Sequence, residues 1–128
     1  MLHHIEIYVS DLLRSRQFYD WFFAWLGYDL FQEWDLGFSY CFAQSYYFVF
    51  VQTEDAYLPH TYHRKQTGLN HLAFAVDSRE KVDELANLLA VKNIPILYAN
   101  KHPFAGGEHY YAVFFEDPDR IKLEVTIK

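Results

Sequence analysis

Cysteine is almost absent from this sequence, since Cys41 is the only one among 128 residues. A disulfide framework within the chain is therefore excluded, and the composition suits a reducing compartment. The first residues, 1–4, also lack the charged and then apolar pattern of a secretory signal. We therefore expect a cytoplasmic protein.

Long apolar runs and basic clusters are missing as well. The longest apolar runs fall far short of the ~20 residues that a membrane-spanning helix needs. The net charge is −6, and no basic cluster extends beyond His63-Arg64-Lys65, so the sequence lacks the basic face of a nucleic-acid-binding protein. Neither a membrane nor a nucleic acid is expected as a partner.

Apolar and aromatic residues are abundant instead, at 52% and 20% of the chain. A chain of this length and composition can bury a core and fold as one domain over 1–128. We expect two modules within it, about 1–54 and about 69–128. The polar segment between them, about 55–68, is long for a loop inside one compact unit and is interpreted as a linker.

The first half of the chain predicts a βαβββ module. Ile5, Ile7 and Val9 alternate with more polar neighbours, which is the period of a strand. Ser10-Asp11 supplies a cap for a helix over 12–26, where apolar residues recur at helical spacing and a glycine follows. Three further strands are predicted near 28–34, 38–43 and 46–53.

The second half repeats the same order. A strand over 71–76 is followed by Ser78, a helix cap, and by a helix from Arg79 to about Lys92. Three more strands are predicted near 96–99, 109–116 and 121–127. The predicted fold class is therefore α+β, with two βαβββ modules that each cover one face of their sheet with a single helix.

Strand register places three polar side chains on the faces opposite the helices. Successive strand side chains point to opposite faces, and the aliphatic rows should pack against the helices. His4, His71 and Glu124 all fall on the other rows, whereas His3 falls in the aliphatic register. If the two sheets curve around one cavity, these three side chains point into it.

Two imidazoles and one carboxylate are a recurring ligand set for divalent iron, manganese, nickel or zinc. Three protein ligands would leave coordination positions open for the oxygen atoms of a small-molecule substrate. For each residue taken alone, a solvent-facing or hydrogen-bonded side chain is the favoured interpretation. Their joint register favours the ligand interpretation.

Three stretches of the sequence resemble the vicinal oxygen chelate superfamily of glyoxalases, bleomycin-resistance proteins, fosfomycin-resistance transferases and extradiol dioxygenases. They are HHIEIYVSDL with the FYDWFFAWLGY after it, GLNHLAFAVDS, and AGGEHYYAVFFEDPDRIKLEV. The resemblance covers nearly the whole chain. It implies paired modules that form a cupped mixed sheet, with helices on the outer face and a metal inside. Its metal positions correspond to His4, His71 and Glu124.

Two features depart from the family pattern. Glyoxalases usually have a fourth ligand, often a glutamate, on the last strand of the first module, where this chain reads YYFVFVQTED. With Val49 and Val51 expected to face the core, the equivalent position is Phe50 or Gln52. The Gln52 amide could bind a ligand weakly but cannot act as a carboxylate base.

The second departure is Arg120, which replaces the usual turn glycine. A non-glycine residue costs about 1 kcal/mol there if the turn is left-handed and nothing if it is a type I turn.

A tyrosine is the remaining candidate for a catalytic group. Gly106-Gly107 lie in a loop that can approach a ligand closely because it lacks side chains. Tyr110 and Tyr111 follow and alternate, so one of them should face the cavity and donate a proton or hydrogen bond. We take Tyr110, with Gln52 and Glu124, as the candidate catalytic residues.

The predicted function is that of a metal-dependent enzyme of the glyoxalase or dioxygenase type, acting on a small oxygen-bearing substrate. Isomerase, lyase, transferase and ring-cleaving dioxygenase chemistry all stay open. The alternative is a metal-free protein that binds or sequesters a ligand, as bleomycin-resistance members do. The resemblance also implies a homodimer.

Overall fold

The computed structural model describes residues 2–128. Within this part of the chain it has two α-helices and seven β-strands, which confirms the α+β class. The chain divides into two compact units, the first extending to Thr61 and the second beginning at Tyr62, inside the segment interpreted as a linker. No helix among the described residues has the length and apolar character needed to cross a membrane.

The first unit is a βαβββ module. Its strands are β1 (His4–Val9), β2 (Asp29–Trp34), β3 (Gly37–Phe42) and β4 (Tyr46–Gln52), and α1 (Leu12–Leu26) lies between the first two. The strand order is β1-β4-β3-β2, with β1 parallel to β4 and the other pairs antiparallel. This order of elements is the one that the sequence predicts.

Helix α1 begins and ends where its capping residues indicate. Oδ1 of Asp11 accepts a hydrogen bond from the backbone N–H of Arg14 over 2.9 Å, which satisfies one of the free donors of the first turn. Gly27 follows with a φ of +85°, a left-handed conformation that glycine adopts without a steric penalty. The chain can therefore turn directly from the helix into β2.

An aromatic core joins α1 to the first sheet. Phe50 of β4 is fully buried and stacks on Tyr19 of α1, with the two ring centroids 4.0 Å apart. Phe23, one turn further along α1, stacks on Tyr40 of β3 at 4.9 Å. Burying aromatic rings of this size contributes strongly to folding, so these contacts fix which face of the sheet is turned toward the helix.

The second unit has one strand fewer than predicted. Its elements are β5 (Leu72–Val76), α2 (Arg79–Val91), β6 (Ala112–Glu116) and β7 (Lys122–Ile127). The strand order is β5-β7-β6, with β5 parallel and β6 antiparallel to β7. The bounds of α2 agree with the prediction, and its cap is Ser78, whose hydroxyl oxygen accepts from Lys81 N–H over 3.3 Å.

The predicted strand over 96–99 is wrong, because residues 92–111 contain turns and loop only. The N–H of Leu97 donates one backbone hydrogen bond to the carbonyl of Phe114, over 2.8 Å. Tyr98 then has a φ of +56°, which takes the backbone out of the extended region. The second module is therefore βαββ within the described residues, and β6 begins three residues later than predicted.

In the turn between β6 and β7, the residue in the usual glycine position adopts the left-handed conformation, the first of the two alternatives that the sequence allows. Arg120 has a φ of +66°. Oδ1 of the buried Asp117 accepts hydrogen bonds from the N–H groups of Asp119 and Ile121, each over 2.8 Å. These bonds hold the turn and offset the cost of about 1 kcal/mol for a non-glycine residue in this conformation.

Candidate functional site

Two adjacent tyrosines show which face of the second sheet is turned away from α2. Tyr111 donates a hydrogen bond to Oδ1 of Asp83 on α2, over 2.6 Å. Tyr110 points to the other side and donates to Oε1 of Glu124 on β7. Glu124 therefore lies on the face opposite the helix, as its strand register predicts. Of the two alternating tyrosines, Tyr110 is the one on this face.

His71 lies next to Glu124 on this face of the sheet. Its Nε2 is 3.0 Å from Oε2 of Glu124, and its Nδ1–H donates to Oδ1 of Asn70 over 2.6 Å. Glu124 is a nearly buried carboxylate, 3% exposed. Ala73, two residues after His71, lies directly across from Glu124 in the β5–β7 ladder.

The arrangement fits a metal ion by the chemistry of its donor atoms. With its proton on Nδ1, a neutral His71 has a lone pair on Nε2 that faces a carboxylate oxygen of Glu124. Two acceptor atoms this close need a positive charge between them, either a proton on Nε2 or a metal ion. A metal ion held by this pair would have one nitrogen and one oxygen ligand, a donor set that zinc and divalent iron accept.

Each residue of the pair has a second hydrogen-bond partner, its outer partner, on the side away from the other. This leaves Nε2 of His71 and Oε2 of Glu124 directed toward each other. Asn70 engages the far nitrogen of His71, and Tyr110 engages the far oxygen of Glu124. Metal-binding histidines and carboxylates usually have outer hydrogen bonds of this kind, which fix their orientation. Asn70 was not predicted as a site residue, although its position directly before the histidine is a signal visible in the sequence.

The glycine at position 106 gives Tyr110 its place. A Cβ at Gly106 would lie 2.4 Å from Cδ1 of the Tyr110 ring, so only glycine leaves room for the ring there. The N–H of Tyr110 also donates to the carbonyl of Gly107 over 3.0 Å. The hydrogen bond to the Glu124 carboxylate, with a smaller effect of burial, raises the pKa of the Tyr110 phenol. The hydroxyl therefore stays protonated as a donor at neutral pH.

His4 lies in the first unit, on β1. Its row is turned away from α1, because its strand partner Tyr47 alternates with the row that contains Phe50. The imidazole stacks on the Tyr47 ring, with centroids 4.7 Å apart and planes 4° from parallel. Nδ1 of His4 is also 2.9 Å from Nδ1 of His3, so these two ring nitrogens form one hydrogen bond.

The predicted register of β4 is wrong. Val49 and Val51 were expected to face the core beneath the helix, with Phe50 and Gln52 on the opposite row. The stacking of Phe50 on Tyr19 places the Phe50 row against α1, and Gln52 shares that row. Both faces of β4 are apolar, so the alternation of its sequence does not distinguish them.

Gln52 is engaged by backbone groups at the start of α1. Its Oε1 accepts from the N–H of Leu12 over 2.9 Å, and its Nε2 donates to the carbonyl oxygens of Ser10 at 2.9 Å and Thr53 at 3.3 Å. These contacts join the end of β4 to the turn before the helix. The structure thus gives Gln52 a structural position on the helix side and not a place beside His4.

Replacing Gln52 by alanine is expected to lower the free energy of unfolding by about 1 to 3 kcal/mol, because part-buried backbone groups lose their partners. Chemical denaturation measures this change, with Gln17→Ala on the exposed side of α1 as the control. Affinity for divalent metal ions is expected to stay at the wild-type value. A stable variant with weakened metal binding would contradict this assignment.

The family model described as the Glyoxalase/Bleomycin resistance protein/Dioxygenase superfamily matches residues 1–125. The chain belongs to this superfamily. Among curated relatives, the uncharacterized protein YqjT of Bacillus subtilis (strain 168) is 49% identical over 125 residues, which cover 98% of this chain and 97% of that protein.

Two solved structures illustrate the range of similarity. A protein from Bacillus halodurans, provisionally assigned as a glyoxalase, has a TM-score of 0.97 and 55% identity over 100% of this chain and 96% of its own. Lactoylglutathione lyase from Agrobacterium tumefaciens has a TM-score of 0.68 and 20% identity over 99% of this chain and 92% of its own. The latter likeness shows the fold alone.

Within this superfamily, the chain differs from the glyoxalases at the position of the fourth metal ligand, on the last strand of the first module. With the register of β4 corrected, the residues on the side of His4 are Tyr47, Val49 and Val51. None of these three has a carboxylate, so β4 supplies no glutamate to that face. This departure is greater than the one predicted from Gln52.

The predicted metal ligands are brought together in part. His71 and Glu124 form a pair in the second unit, whereas His4 belongs to the first, and its role as a third ligand stays a prediction. Among residues 2–128, no group of three or more histidine, cysteine, aspartate or glutamate side chains is placed to hold a metal ion. The pair and its outer partners are therefore the part of the site that the geometry defines.

Proposed function

We propose that this superfamily member is a metal-dependent enzyme of the glyoxalase or dioxygenase type, acting on a small oxygen-bearing substrate. The observation that carries this proposal is the 3.0 Å contact between Nε2 of His71 and Oε2 of Glu124. A nearly buried carboxylate beside an imidazole nitrogen, with both groups held by outer partners, is a donor pair suited to a divalent cation.

His71 and Glu124 would hold the metal ion, and His4 is proposed as the third ligand on the grounds of its strand register and the family resemblance. A divalent metal ion in such a set supplies a Lewis acid that polarises an oxygen atom of the substrate. Divalent iron, manganese, nickel and zinc all accept two imidazoles and a carboxylate.

The residues of the chain contribute orientation and proton transfer. Glu124 is held from one side by Tyr110 and faces His71 on the other, so its carboxylate has little freedom to rotate. The Tyr110 ring is 41% exposed, and its hydroxyl is within reach of a molecule bound at the pair. The single phenolic proton of Tyr110 is donated to Glu124, and transfer of this hydrogen bond to a substrate oxygen would stabilise a developing negative charge there.

The test is a calorimetric titration of chelator-treated, dialysed protein with divalent iron, manganese, nickel and zinc, each in turn. The wild type is expected to bind one equivalent of at least one ion, and His71→Ala is expected to bind it much more weakly. His60→Ala, which removes an exposed histidine, serves as the control. His4→Ala tests the third ligand. Equal affinities in the wild type and His71→Ala would refute the proposal.

The outer partner of Glu124 gives a prediction with a closely matched control. Tyr110→Phe is expected to weaken metal binding about 10- to 100-fold, because the hydroxyl that orients the carboxylate is lost. Tyr111→Phe removes the hydroxyl of the next residue, which contacts Asp83 on the helix side, and should leave metal affinity unchanged. The same titration measures both variants, and equal effects would contradict the role given to Tyr110.

The alternative function, a metal-free ligand-binding protein, is favoured by the aromatic face of the first sheet. His4 stacks on Tyr47, and the ring of Phe31 lies 5.8 Å from that of Tyr47, with Phe31 itself exposed. No carboxylate from β4 joins them. A thermal-shift screen of chelator-treated protein separates the two functions. Aromatic ligands that stabilise the metal-free protein would support this alternative, and stabilisation that requires metal would exclude it.

A further inference from the structure

A lysine lies on the same row of β7 as Glu124. Lys122 precedes Glu124 by two residues, so both side chains are on the face turned away from α2, with their Cα atoms about 6.6 Å apart. Directly across from Lys122 in the β6–β7 ladder is Glu116. A cross-strand pair of opposite charge at these positions would be the ordinary arrangement.

Glu116 is engaged elsewhere. Its Oε1 accepts from the guanidinium of Arg64, and its Oε2 lies 3.4 Å from Nε of Arg120. Among residues 2–128, no ion pair includes Lys122. Two guanidinium groups thus share this carboxylate, in a chain whose net charge is −6.

The ammonium group of Lys122 rests on two aromatic rings. Nζ is 5.3 Å from the centroid of Tyr98 and 5.2 Å from that of Phe114, a distance at which the ring faces attract a cation. Phe114 is the direct strand neighbour of Glu124. The side chain therefore lies over β6, level with Glu124 along the strands, and no ion pair holds it to Glu116.

A second hydrogen-bonding group stands beside this ammonium. Nζ of Lys122 donates to the hydroxyl oxygen of Tyr98 over 3.4 Å, so the phenolic proton is free to point to another acceptor. Tyr98 has a φ of +56°, a conformation that non-glycine residues adopt rarely, and strain of this kind occurs often at functional sites. It holds a half-exposed ring over Phe114, at a centroid distance of 5.7 Å.

We propose that Lys122 and the Tyr98 hydroxyl bind a negatively charged group of the substrate, a carboxylate or phosphonate. This inference rests on the proposed function, because it assigns the other end of the substrate to the His71–Glu124 pair. Two adjacent donors, one of them charged, match two oxygen atoms of such an anion. The substrate is then a small anion with oxygen atoms at both ends, and neutral or cationic compounds of the same size are poor ligands.

The test is a titration of chelator-treated protein with methylphosphonate, in which ³¹P NMR measures binding of the probe. Physiological salt is used because it largely screens the long-range effect of surface charges. Wild-type protein is expected to show saturable binding. Lys122→Met should weaken it about 10- to 100-fold, the effect of losing a charge-assisted hydrogen bond. Lys101→Met removes an exposed positive charge from the same unit and is the control for net charge. Tyr98→Phe keeps the ring and should weaken binding by a smaller factor.

The outcomes separate this inference from the metal proposal, because the probe is tested without metal. Equal binding by the wild type and Lys122→Met overturns the anion subsite, whatever the metal titration shows. Weakened binding in Lys122→Met but not in Lys101→Met supports the subsite, even if no metal binds at His71. Circular dichroism of Lys122→Met and the Tyr98→Phe result show whether a loss comes from the site or from misfolding. A misfolded Lys122→Met together with a Tyr98→Phe that binds methylphosphonate as tightly as the wild type overturns the inference.

Discussion

Phe50→Ala is expected to lower the free energy of unfolding by about 3 to 5 kcal/mol, the usual cost of removing a fully buried phenylalanine. Phe50 is 0% exposed, and its ring lies between the helix and the sheet. It stacks on Tyr19 at 4.0 Å and on Phe38 at 5.3 Å. Alanine would leave a cavity that three rigid elements cannot close, so the lost contacts are not recovered.

The control for this prediction is Phe31→Ala on β2. Phe31 is 53% exposed, so the same change of side chain should cost well under 1 kcal/mol. Urea denaturation of both variants measures the difference. If the register expected from the sequence were right, Phe50 would face away from α1 and its loss would resemble that of Phe31. Similar midpoints for the two variants would therefore contradict the packing described.

The strands whose direction could be predicted are those with one polar face. In β1 and β7, polar residues such as His4 and Glu124 alternate with aliphatic ones, and in β1 the aliphatic row is the more buried one. In β4 the sequence YYFVFVQ is apolar on both faces, and consecutive residues from Phe48 to Phe50 are buried. Hydrophobic alternation gives no information for such a strand, and only the ring contacts decide.

The helix ends were predictable because local chemistry fixes them. Asp11, Gly27 and Ser78 act on backbone groups within four residues of themselves, so no tertiary contact is needed to identify them. The segment over 92–111 was not predictable in the same way. Its path depends on single residues in left-handed conformations, such as Tyr98, and on contacts with β6 that are distant in sequence.

The candidate site shows the same division. Strand alternation was enough to place His71 and Glu124 on one face, but not to show that their atoms meet at 3.0 Å. The outer partners come from outside the strands, Asn70 from the residue before β5 and Tyr110 from the loop after Gly106. Side chains on loops have no periodic signal, so sequence reasoning could nominate Tyr110 only as one of two neighbours.

Glu124→Gln is expected to weaken metal binding on the order of 1,000-fold, more than the loss of an outer partner such as Tyr110, because the anionic ligand itself is removed. The metal-free protein should keep its stability to within about 1 kcal/mol. The new amide oxygen can accept from Tyr110, and its N–H can donate to the Nε2 lone pair of His71. Both contacts of the carboxylate are thus preserved while its charge is lost.

The control for Glu124→Gln is Glu116→Gln, which removes the same charge from the neighbouring strand of the same unit. Glu116 pairs with Arg64 and not with a histidine, so this variant should lose some stability and no metal affinity. Glu124→Gln should therefore lose metal affinity and keep its stability, whereas Glu116→Gln should lose stability and keep its metal affinity. Calorimetric metal titration and thermal unfolding of the metal-free proteins measure both quantities. A Glu124→Gln protein that binds metal as tightly as the wild type would show that Glu124 is not a metal ligand and that its contact with His71 is a hydrogen bond alone.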